Sequence, residues 1–395
     1  MFATLPLSYC TNVHPGLTVD EVCGGLVRYT RPLREAVGPI AAGLWLADPV
    51  TRELEDSPDR LHLLTDTLGQ AGLVCYTLNA FPQGNFHSEV VKQAVYRPTW
   101  ADPERLDYTL RCARLLAAIM PDGVQGSLST VPLGYRFDET TAAAGFEDAA
   151  IANLLACVRG LDDLHDETGR VVRLAIEPEP HCLIETTDEA VAFFGRLHAA
   201  ADDAAIGDVC RDLVGLCFDV CHQAVEFEDV VRSIRAIEAA GIRINKAHLS
   251  CAIELSDPRD AAARAALAEY VEPRYLHQTF AQRPRDAEGE PVVSRQDLTA
   301  ALCEKPPPEF AAARRWRTHY HVPVDRDRLG PLRTTRPDLS RALAAIRELP
   351  YAPHLEIETY TWTVLPGEPV DLVAGLAAEV TAVRRLLDQH ASQSG

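Results

Sequence analysis

Short apolar segments with the composition of β-strands alternate along this chain with longer segments of helical periodicity. The strand candidates are Leu5–Asn12, Gly43–Ala47, Leu73–Ala80, Gly123–Val131, Val171–Glu179, Val214–Asp219, Ile242–Ser250 and His354–Trp362. Apolar residues at three- and four-residue spacing predict helices between them, as in Thr18–Ala36, Asp102–Ile119, Glu147–His165, Thr187–Ala204 and Val225–Ala240. With a last helix at Asp371–His390, this order predicts an α/β fold, a (β/α)8 TIM barrel.

An open doubly wound sheet is the alternative architecture for such an alternation. It would place a ligand at one switch point, with functional residues from about two strands. A closed barrel instead places functional residues at the ends of many strands, on its C-terminal face. Because a barrel with insertions reaches the length of this chain, we expect residues 1–395 to form a single barrel domain.

The connection before the last predicted strand is abnormally long, and it extends from residue 257 to residue 336. It contains a helical segment at Arg259–Val271, the polar stretch QRPRDAEGEP, a proline run at Pro306–Pro308 and the strand-like segment WRTHYHVPV. Structured insertions of this length in compact domains are usually functional. We therefore expect residues 257–336 to be an insertion after strand seven that contributes to a binding or catalytic site.

Composition argues against several classes of partner. The net charge of −19, without a cluster of basic residues, disfavours a nucleic-acid ligand. No apolar stretch is long enough for a membrane span, and the pattern of a signal peptide is not seen. The eleven cysteines have no regular spacing, which favours buried, reduced thiols in a cytoplasmic protein. Cys217 and Cys221 form a single C-x3-C pair, which favours core packing over a zinc site.

Polar residues end four consecutive strands in the second half of the chain. They are Glu177 and Glu179 on the fifth strand, Asp219 with His222 just beyond the sixth, Lys246 and His248 on the seventh, Glu356 and Glu358 on the eighth, and His319 and His321 in the insertion. In a barrel, these strand ends converge at one face. Because burying isolated carboxylates is costly, a shared divalent cation would stabilise them, and mixed oxygen and imidazole ligands suit Mn²⁺, Mg²⁺, Co²⁺ or Zn²⁺.

The spacing of these residues is compatible with a common ion. Asp219 and His222 can face one ion if the chain turns after the strand, and His319 and His321 lie on the same side of an extended segment. A single histidine at a strand end is most often structural, and a single aspartate is often a helix cap. The joint pattern is more specific, because each residue lies at the same end of a different strand. We therefore expect a metal site.

The first half of the predicted barrel offers candidates for binding a substrate. Asn12 and His14 follow the first strand, Asn79 ends the third, and His87 lies in the loop AFPQGNFH that follows it. Loops at this face of a barrel often carry function, although a turn-rich connection is the simpler interpretation. In the second half, we also expect Glu179 and the apolar wall of Trp362 to contact a polyol-like ligand.

The residues at the strand ends resemble those of the xylose-isomerase-like barrel superfamily, which contains sugar isomerases, sugar epimerases and endonuclease IV. The resemblance implies that Glu177, Asp219, His248 and Glu358 bind one divalent ion. Endonuclease IV adds a histidine that corresponds to His222, and an Asp-x-His pair that His319-Tyr320-His321 resembles with histidine in place of aspartate. The resemblance therefore leaves open whether more than one metal ion binds.

Five further segments resemble the bacterial EboE family of metabolite-traffic proteins. They are LSYCTNVHPG, TLNAFPQGNFH, KQAVYRPTW, HYHVPV and IETYTW, and they extend over nearly the whole chain. The family name implies a part in processing or exporting a secondary metabolite, but it does not supply a reaction.

Three functions are compatible with these patterns. The first is a metal-dependent isomerase or epimerase of a sugar-like or cyclitol-like metabolite; the resemblance implies that Glu177 and Glu358 transfer the proton, and Lys246 would stabilise an enediolate oxygen. The second is a zinc-dependent phosphoester hydrolase, which the additional histidines favour. The third is a non-catalytic carrier of a metabolite, because a fold alone does not establish catalysis.

Overall fold

Eight parallel strands close into a barrel in the computed structural model, which describes residues 5–284, 291–367 and 370–392. The barrel strands are β1 (Ser8–Cys10), β2 (Ala41–Trp45), β3 (Thr77–Asn79), β4 (Gly126–Thr130), β5 (Val172–Ile176), β6 (Val214–Asp219), β7 (Ile244–Leu249) and β14 (His354–Ile357). Between β7 and β14, the described residues form six further strands outside the barrel, which are β8 (Ile253–Leu255), β9 (Thr279–Gln282), β10 (Val292–Arg295), β11 (Arg315–Thr318), β12 (Arg328–Leu329) and β13 (Leu332–Thr334). The barrel order is β1-β14-β7-β6-β5-β4-β3-β2, so the predicted barrel is confirmed and the open-sheet alternative is wrong.

Helices follow the barrel strands as the apolar periodicity predicts. They are α1 (Val19–Gly25), α2 (Arg31–Val37), α3 (Asp48–Asp56), α4 (Pro58–Gln70), α5 (Pro103–Ile119), α6 (Phe146–Thr168), α7 (Thr187–Asp203), α8 (Gly207–Leu213), α9 (Val220–Val225), α10 (Val230–Ala239), α11 (Ala261–Ala268), α12 (Ala300–Glu304), α13 (Pro308–Ala311), α14 (Arg336–Glu348) and α15 (Leu372–Ser392). A π-helical turn at Leu26–Thr30 joins α1 to α2, and short 3₁₀ helices form at Thr11–Val13, Lys92–Tyr96 and Tyr360–Thr363.

The main core lies between the barrel strands and the surrounding helices. Every residue of β6 is buried, because a parallel strand is covered on one face by the barrel interior and on the other by helices. All eleven cysteines are buried and unpaired, as the sequence predicts. Among the described residues, no helix is long and apolar enough to cross a lipid bilayer.

A helix cap explains the spacing of Asp219 and His222. Asp219 ends β6 and is the N-cap of α9, where its Oδ1 accepts a hydrogen bond from the backbone N–H of His222 at 2.9 Å. An N-cap carboxylate satisfies a helix donor that would otherwise lack a partner. The interpretation of this aspartate as a cap is therefore correct, but Oδ2 remains available for another partner.

The insertion forms a second sheet beside the barrel mouth. Its order is β10-β9-β11-β8-β13-β12, and its strand pairs are antiparallel. The strands lie between residues 253 and 334, so the predicted boundary at residue 257 leaves out the first of them. Within the predicted polar stretch, residues 285–290 lie outside the described residues. Because β11 ends at Thr318, the insertion places His319 and His321 directly after a strand.

Candidate metal centre

The four residues of the predicted metal site meet at the C-terminal end of the barrel. Glu177 follows β5, Asp219 ends β6, His248 lies on β7 and Glu358 follows β14. One potential ligand atom from each lies within 4.8 Å of the others. The His248 Nδ1 atom is 2.8 Å from Glu177 Oε1, 3.1 Å from Glu358 Oε2 and 3.7 Å from Asp219 Oδ2. The strand register contributes to this, because Asp219 pairs with His248.

The chemistry of this cluster fits a divalent cation. Asp219 Oδ1 accepts hydrogen bonds from the His222 N–H and from Ser250 Oγ, whereas the buried Oδ2 has no hydrogen-bond partner. Burial disfavours a charged imidazole, but the nearby Glu177 and Glu358 carboxylates contribute to a net rise in the pKa of His248. In the absence of a cation, a protonated His248 ring therefore offsets part of the negative charge of the surrounding carboxylates. Three carboxylates and one imidazole are ligands that Mn²⁺, Mg²⁺, Co²⁺ and Zn²⁺ accept.

Three histidines form a second cluster next to the first. His222 Nδ1 is 2.9 Å from the backbone oxygen of Pro178, and His321 Nδ1 is 2.9 Å from the backbone oxygen of Glu358. His319 Nδ1 is 2.7 Å from the side-chain oxygen of Gln278. Because these oxygens only accept hydrogen bonds, each Nδ1 carries a proton. Burial lowers the pKa of His319 and His321, so these rings are neutral with a lone pair at Nε2, whereas the carboxylates around His222 outweigh its burial and raise its pKa.

The Gln278 amide has a defined orientation. Its Nε2 donates to the backbone oxygen of Pro180 at 3.0 Å and to the Tyr96 hydroxyl at 3.0 Å. A carbonyl oxygen cannot donate, so the amide nitrogen must be on that side and Oε1 must be on the side of His319. This assignment supports the tautomer of His319.

The Nε2 atoms of this cluster lack suitable protein donors. His222 Nε2 and His321 Nε2 are 3.2 Å apart, so in the neutral rings two lone pairs face each other unless a proton or a cation lies between them. His319 Nε2 and Glu179 Oε2 are buried without a hydrogen-bond partner. Ligand atoms of Glu179, His222 and His319 lie within 4.8 Å of one another, as do those of Asp219, His222 and His321. The arrangement can hold a second cation.

Two cysteines lie beside these clusters. Cys217 has its sulfur near Glu177 and His248, and Cys221 has its sulfur near His319 and His321. Burial raises the pKa of Cys217 to about 12, and it raises the pKa of Cys221 above the usual range. The thiols are therefore neutral at pH 7, as expected for core packing.

A cavity with about 50 Å³ of space for the centres of water-sized molecules opens above the two clusters. Its polar floor includes Asn12, Glu179 and Glu358 together with the three histidines. Asn12 Nδ2 donates to Glu358 Oε1 at 2.8 Å, and its own Oδ1 is buried without a partner. Tyr96 donates its hydroxyl hydrogen to Glu179 Oε1 at 2.8 Å, and burial raises the pKa of Glu179 to about 8. Asn12 and Glu179 thus line the cavity, and their contact with a substrate stays a prediction.

Two other predicted residues lie deeper, inside the barrel. The Lys246 ammonium is 2.8 Å from Glu356 Oε1 and 3.1 Å from Asn79 Oδ1. Asn79 in turn donates to Glu356 Oε1 at 2.7 Å. Neither Lys246 nor Asn79 lines the cavity. The ammonium therefore does not reach the position from which it was expected to contact an enediolate oxygen, because that position needs a side chain one layer nearer the mouth.

The remaining predicted substrate contacts also lie away from the cavity. His14 stacks on Tyr29 with ring centroids 4.5 Å apart, and the His87 ring donates to the backbone oxygen of Asn12 at 2.8 Å. Trp362 donates its indole N–H to Glu379 at 3.0 Å and faces a separate depression. His14, His87 and Trp362 therefore contact other protein groups, and none of the three lines the cavity.

The cavity also contains residues that the sequence did not identify. Phe86, Tyr275 and Tyr360 lie within 5.1 Å of one another by ring centroids, and Tyr96 and Gln278 connect Glu179 to His319. These residues come from three separate connections. No periodicity or spacing relates them, although Phe86, Tyr96 and Tyr360 lie in segments that carry the EboE resemblance.

No protein-family model matches the sequence, and the search of curated proteins finds no relative. Solved structures do match the fold. They include a xylose isomerase-like TIM barrel protein from Mycobacterium smegmatis in complex with magnesium (14% identity, covering 98% of this chain and 100% of that chain, TM-score 0.51). They also include a xylose isomerase domain protein from Planctomyces limnophilus (12%, 98% and 98%, TM-score 0.51) and a D-allulose 3-epimerase from Methylomonas sp. (12%, 97% and 98%, TM-score 0.51). The chain therefore has the fold of the xylose-isomerase-like TIM barrels.

Proposed function

We propose that this protein is a divalent-metal-dependent isomerase or epimerase acting on a sugar-like or cyclitol-like secondary metabolite. One observation carries the proposal. Glu177, Asp219, His248 and Glu358 bring potential ligand atoms within 4.8 Å of one another, and two of them also line the cavity. The same carboxylates can therefore contact a cation and a substrate. The epimerase among the matched structures is compatible with this choice, but its low identity supports only the fold.

The positions of the side chains indicate which chemical role each of them would have. A bound divalent cation supplies a Lewis acid that polarises a substrate carbonyl. The Glu177 and Glu358 carboxylates line the cavity, so one removes the proton from the carbon next to the carbonyl and the other returns a proton. Asn12 orients Glu358 through its Nδ2, and its free Oδ1 accepts a hydrogen bond from a substrate hydroxyl. Lys246 has no step, because its ammonium is paired with Glu356.

Phosphoester hydrolysis is the second candidate, and the histidine cluster favours it. The Nε2 atoms of His222, His319 and His321, with Glu179 Oε2, offer a second and softer set of ligands that suits Zn²⁺. Two adjacent cations are typical of enzymes that cleave phosphoesters. Against this candidate, Lys92 is the only Lys or Arg among the described residues lining the cavity, and its ammonium is paired with Asp297 at 2.6 Å.

Metal analysis combined with solvent exchange separates these candidates. Purified protein is analysed for metal content, loaded with Mn²⁺ and incubated in D₂O with a panel of ketoses and cyclitol ketones. We expect one strongly bound ion per chain and deuterium on the carbon next to the substrate carbonyl. Glu358→Gln should abolish the exchange, whereas Glu348→Gln, which changes a carboxylate on the surface of α14, should preserve it.

Other outcomes would contradict the proposal in distinguishable ways. Two Zn²⁺ ions per chain, with hydrolysis of bis(p-nitrophenyl) phosphate and no deuterium incorporation, would establish the hydrolase. Ligand binding without turnover, unchanged in Glu358→Gln, would instead indicate a carrier. A protein that binds no divalent metal would contradict both enzymatic candidates.

A further inference from the structure

The cavity has two chemically different parts. Its floor consists of the carboxylates and imidazoles of the two clusters. Its walls are largely apolar, and six lining residues have no side-chain hydrogen-bonding group: Phe81, Pro82, Phe86, Val91, Val95 and Leu276. A free sugar carries hydroxyl groups on nearly every carbon, and a hydroxyl buried without a partner destabilises its complex. These walls therefore do not suit a ligand that is polar throughout.

Three aromatic rings give one wall a continuous apolar surface. Phe86 lies with its ring centroid 4.8 Å from Tyr275 and 5.1 Å from Tyr360, and the two tyrosine rings are 5.0 Å apart. All three side chains are at most 8% exposed. Such mutually packed rings are rigid, and they favour contact with aromatic or aliphatic groups.

Lys92 and Tyr96 on the upper walls are already paired, whereas the hydroxyl of Tyr275 is buried without a hydrogen-bond partner. Lys92 Nζ donates to Asp297 Oδ2 and to the backbone oxygen of Tyr275, both at 2.6 Å, and to the backbone oxygen of Glu272 at 3.2 Å. An ammonium has three N–H groups, so all of them are used. The Tyr96 hydroxyl donates to Glu179 and accepts from Gln278. Among the described residues of these upper walls, no unpaired charge remains to balance a charged group on the ligand.

We propose that the substrate is an uncharged, amphipathic metabolite. Its polar head, a vicinal hydroxy-carbonyl unit, lies on the floor near Asn12 and Glu358, and its aryl or branched aliphatic group packs against Phe86 and the adjoining wall. This inference rests on the proposed function, because the head is assigned to the metal-binding floor.

Two compounds with the same head test the inference. Hydroxyacetone and 2-hydroxyacetophenone both contain the hydroxy-carbonyl unit, but only the second carries a phenyl group. Each is titrated calorimetrically into Mn²⁺-loaded full-length protein, with acetophenone as the compound that lacks the hydroxyl and D-fructose as the free sugar. We expect 2-hydroxyacetophenone to bind at least about tenfold more tightly than hydroxyacetone, because burying a phenyl group removes apolar surface from water.

Wall variants locate the phenyl group. Phe86→Ala should remove most of the affinity difference between the two hydroxyketones, because the phenyl group loses the ring against which it packs. Val95→Thr, nearly the same shape but with a hydroxyl, should reduce the difference without disturbing the fold. Leu63→Ala is the control, because Leu63 lies on α4, is 37% exposed and does not line the cavity.

The outcomes separate this inference from the proposed function. Equal affinities for the two hydroxyketones, or tighter binding of D-fructose, would overturn the amphipathic substrate while preserving the binding site for the head. An affinity difference that persists in both Phe86→Ala and Val95→Thr would also overturn it, because the phenyl group would then lie elsewhere. If Mn²⁺ or every hydroxy-carbonyl compound fails to bind, the proposed function itself is wrong.

Discussion

The interior of the barrel and its mouth both contain polar residues from the same two strands, but in different balance. Lys246 and Glu356 lie inside, and His248 and Glu358 lie two positions later on the same strands. In the interior, one carboxylate meets one ammonium at 2.8 Å. At the mouth, several carboxylates surround a single His248 ring. Position along the strand therefore separates a balanced pair from a cluster in which carboxylates outnumber positive charges.

Hydrogen bonding shows the same difference. In the interior, Glu356 accepts from Ser8 Oγ at 2.8 Å and from Asn79 at 2.7 Å, in addition to Lys246. Burial alone would raise the pKa of Glu356, but Lys246 and His248 lower it to about 2. Strand β2 leaves room for this carboxylate because it has a glycine, Gly43, at this position. A Cβ on Gly43 would lie 1.4 Å from Glu356 Oε2.

At the mouth, several buried atoms have no partner. They are Asn12 Oδ1, Glu179 Oε2, Asp219 Oδ2 and His319 Nε2. Since buried polar groups in folded proteins are nearly always satisfied, the grouping of these atoms at the mouth is compatible with a ligand or ordered water there. Unpartnered atoms, in addition to excess negative charge, thus distinguish the polar residues of the mouth from the Lys246–Glu356 pair inside the barrel.

The strongest test of this comparison removes the interior cation. Lys246→Met leaves the Glu356 carboxylate buried without its partner, and we expect a loss of about 3–5 kcal/mol in the free energy of unfolding. The double variant Lys246→Met with Glu356→Leu should recover much of this loss, because it removes both charges. Chemical denaturation of the metal-free protein measures both changes.

The matched control is Lys305→Met, which changes an exposed lysine at the end of α12. We expect it to alter the unfolding free energy by less than about 0.5 kcal/mol. If Lys246→Met behaved like this control, the interior pair would not have the structural role that its burial indicates.

A buried carboxylate without a cation should respond to pH. Glu379 accepts hydrogen bonds from Thr359 Oγ1, Trp362 Nε1 and the backbone N–H of Val324, and burial raises its pKa from 4.5 to about 7. The folded state then binds more protons than the unfolded state, so stability falls as the pH rises from about 4.5 to 7. We expect Glu379 to account for roughly 2–3 kcal/mol of that fall, at about 1.4 kcal/mol per pKa unit.

Denaturation at several pH values in wild type and Glu379→Gln measures this contribution. The variant should show a shallower decline over this pH interval, because a glutamine cannot ionise. Glu348→Gln, at an exposed site, should retain the wild-type slope. Identical slopes in wild type and Glu379→Gln would show that burial does not raise the pKa of Glu379.

The smallest effect on stability is expected at the mouth. In the metal-free protein, Glu358→Gln should change the free energy of unfolding by no more than about 1 kcal/mol, because His248 keeps its contact with Glu177 at 2.8 Å. The same substitution should abolish the increase in melting temperature that Mn²⁺ produces in wild type, since ligand binding to the folded state stabilises it. Thermal unfolding with and without Mn²⁺ measures both effects. A large loss without metal would mean that this layer, too, is structural.

Much of the architecture could be predicted because it depends on local patterns. The eight barrel strands and the helices between them follow from apolar segments and their periodicity. The convergence of polar strand ends could be predicted because such ends meet at one face of any such barrel, whereas the resemblance to the xylose-isomerase-like superfamily singled out Glu177, Asp219, His248 and Glu358. The sheet of the insertion was not predicted beyond one strand-like segment, because its short strands pair antiparallel across large separations in the chain.

The placement of individual side chains could be predicted only in part. Lys246 and His248 are two residues apart and lie on the same face of β7. Their spacing therefore predicts that both side chains point in the same direction, but not how deep in the barrel each one lies. Depth depends on the tilt and stagger of the strands around the barrel. This is why Lys246 was assigned to the ligand although it pairs with Glu356.

The sequence alone determined the barrel, the end at which polar strand-end residues converge and the types of potential ligand atom gathered there, because periodicity and residue type act locally. Tertiary structure decided which polar residues pair with each other and which remain free. It also brought Phe86, Tyr275 and Tyr360 from separate connections into one apolar wall. Such contacts depend on the closure of the barrel and the docking of the insertion, which no short stretch of sequence encodes.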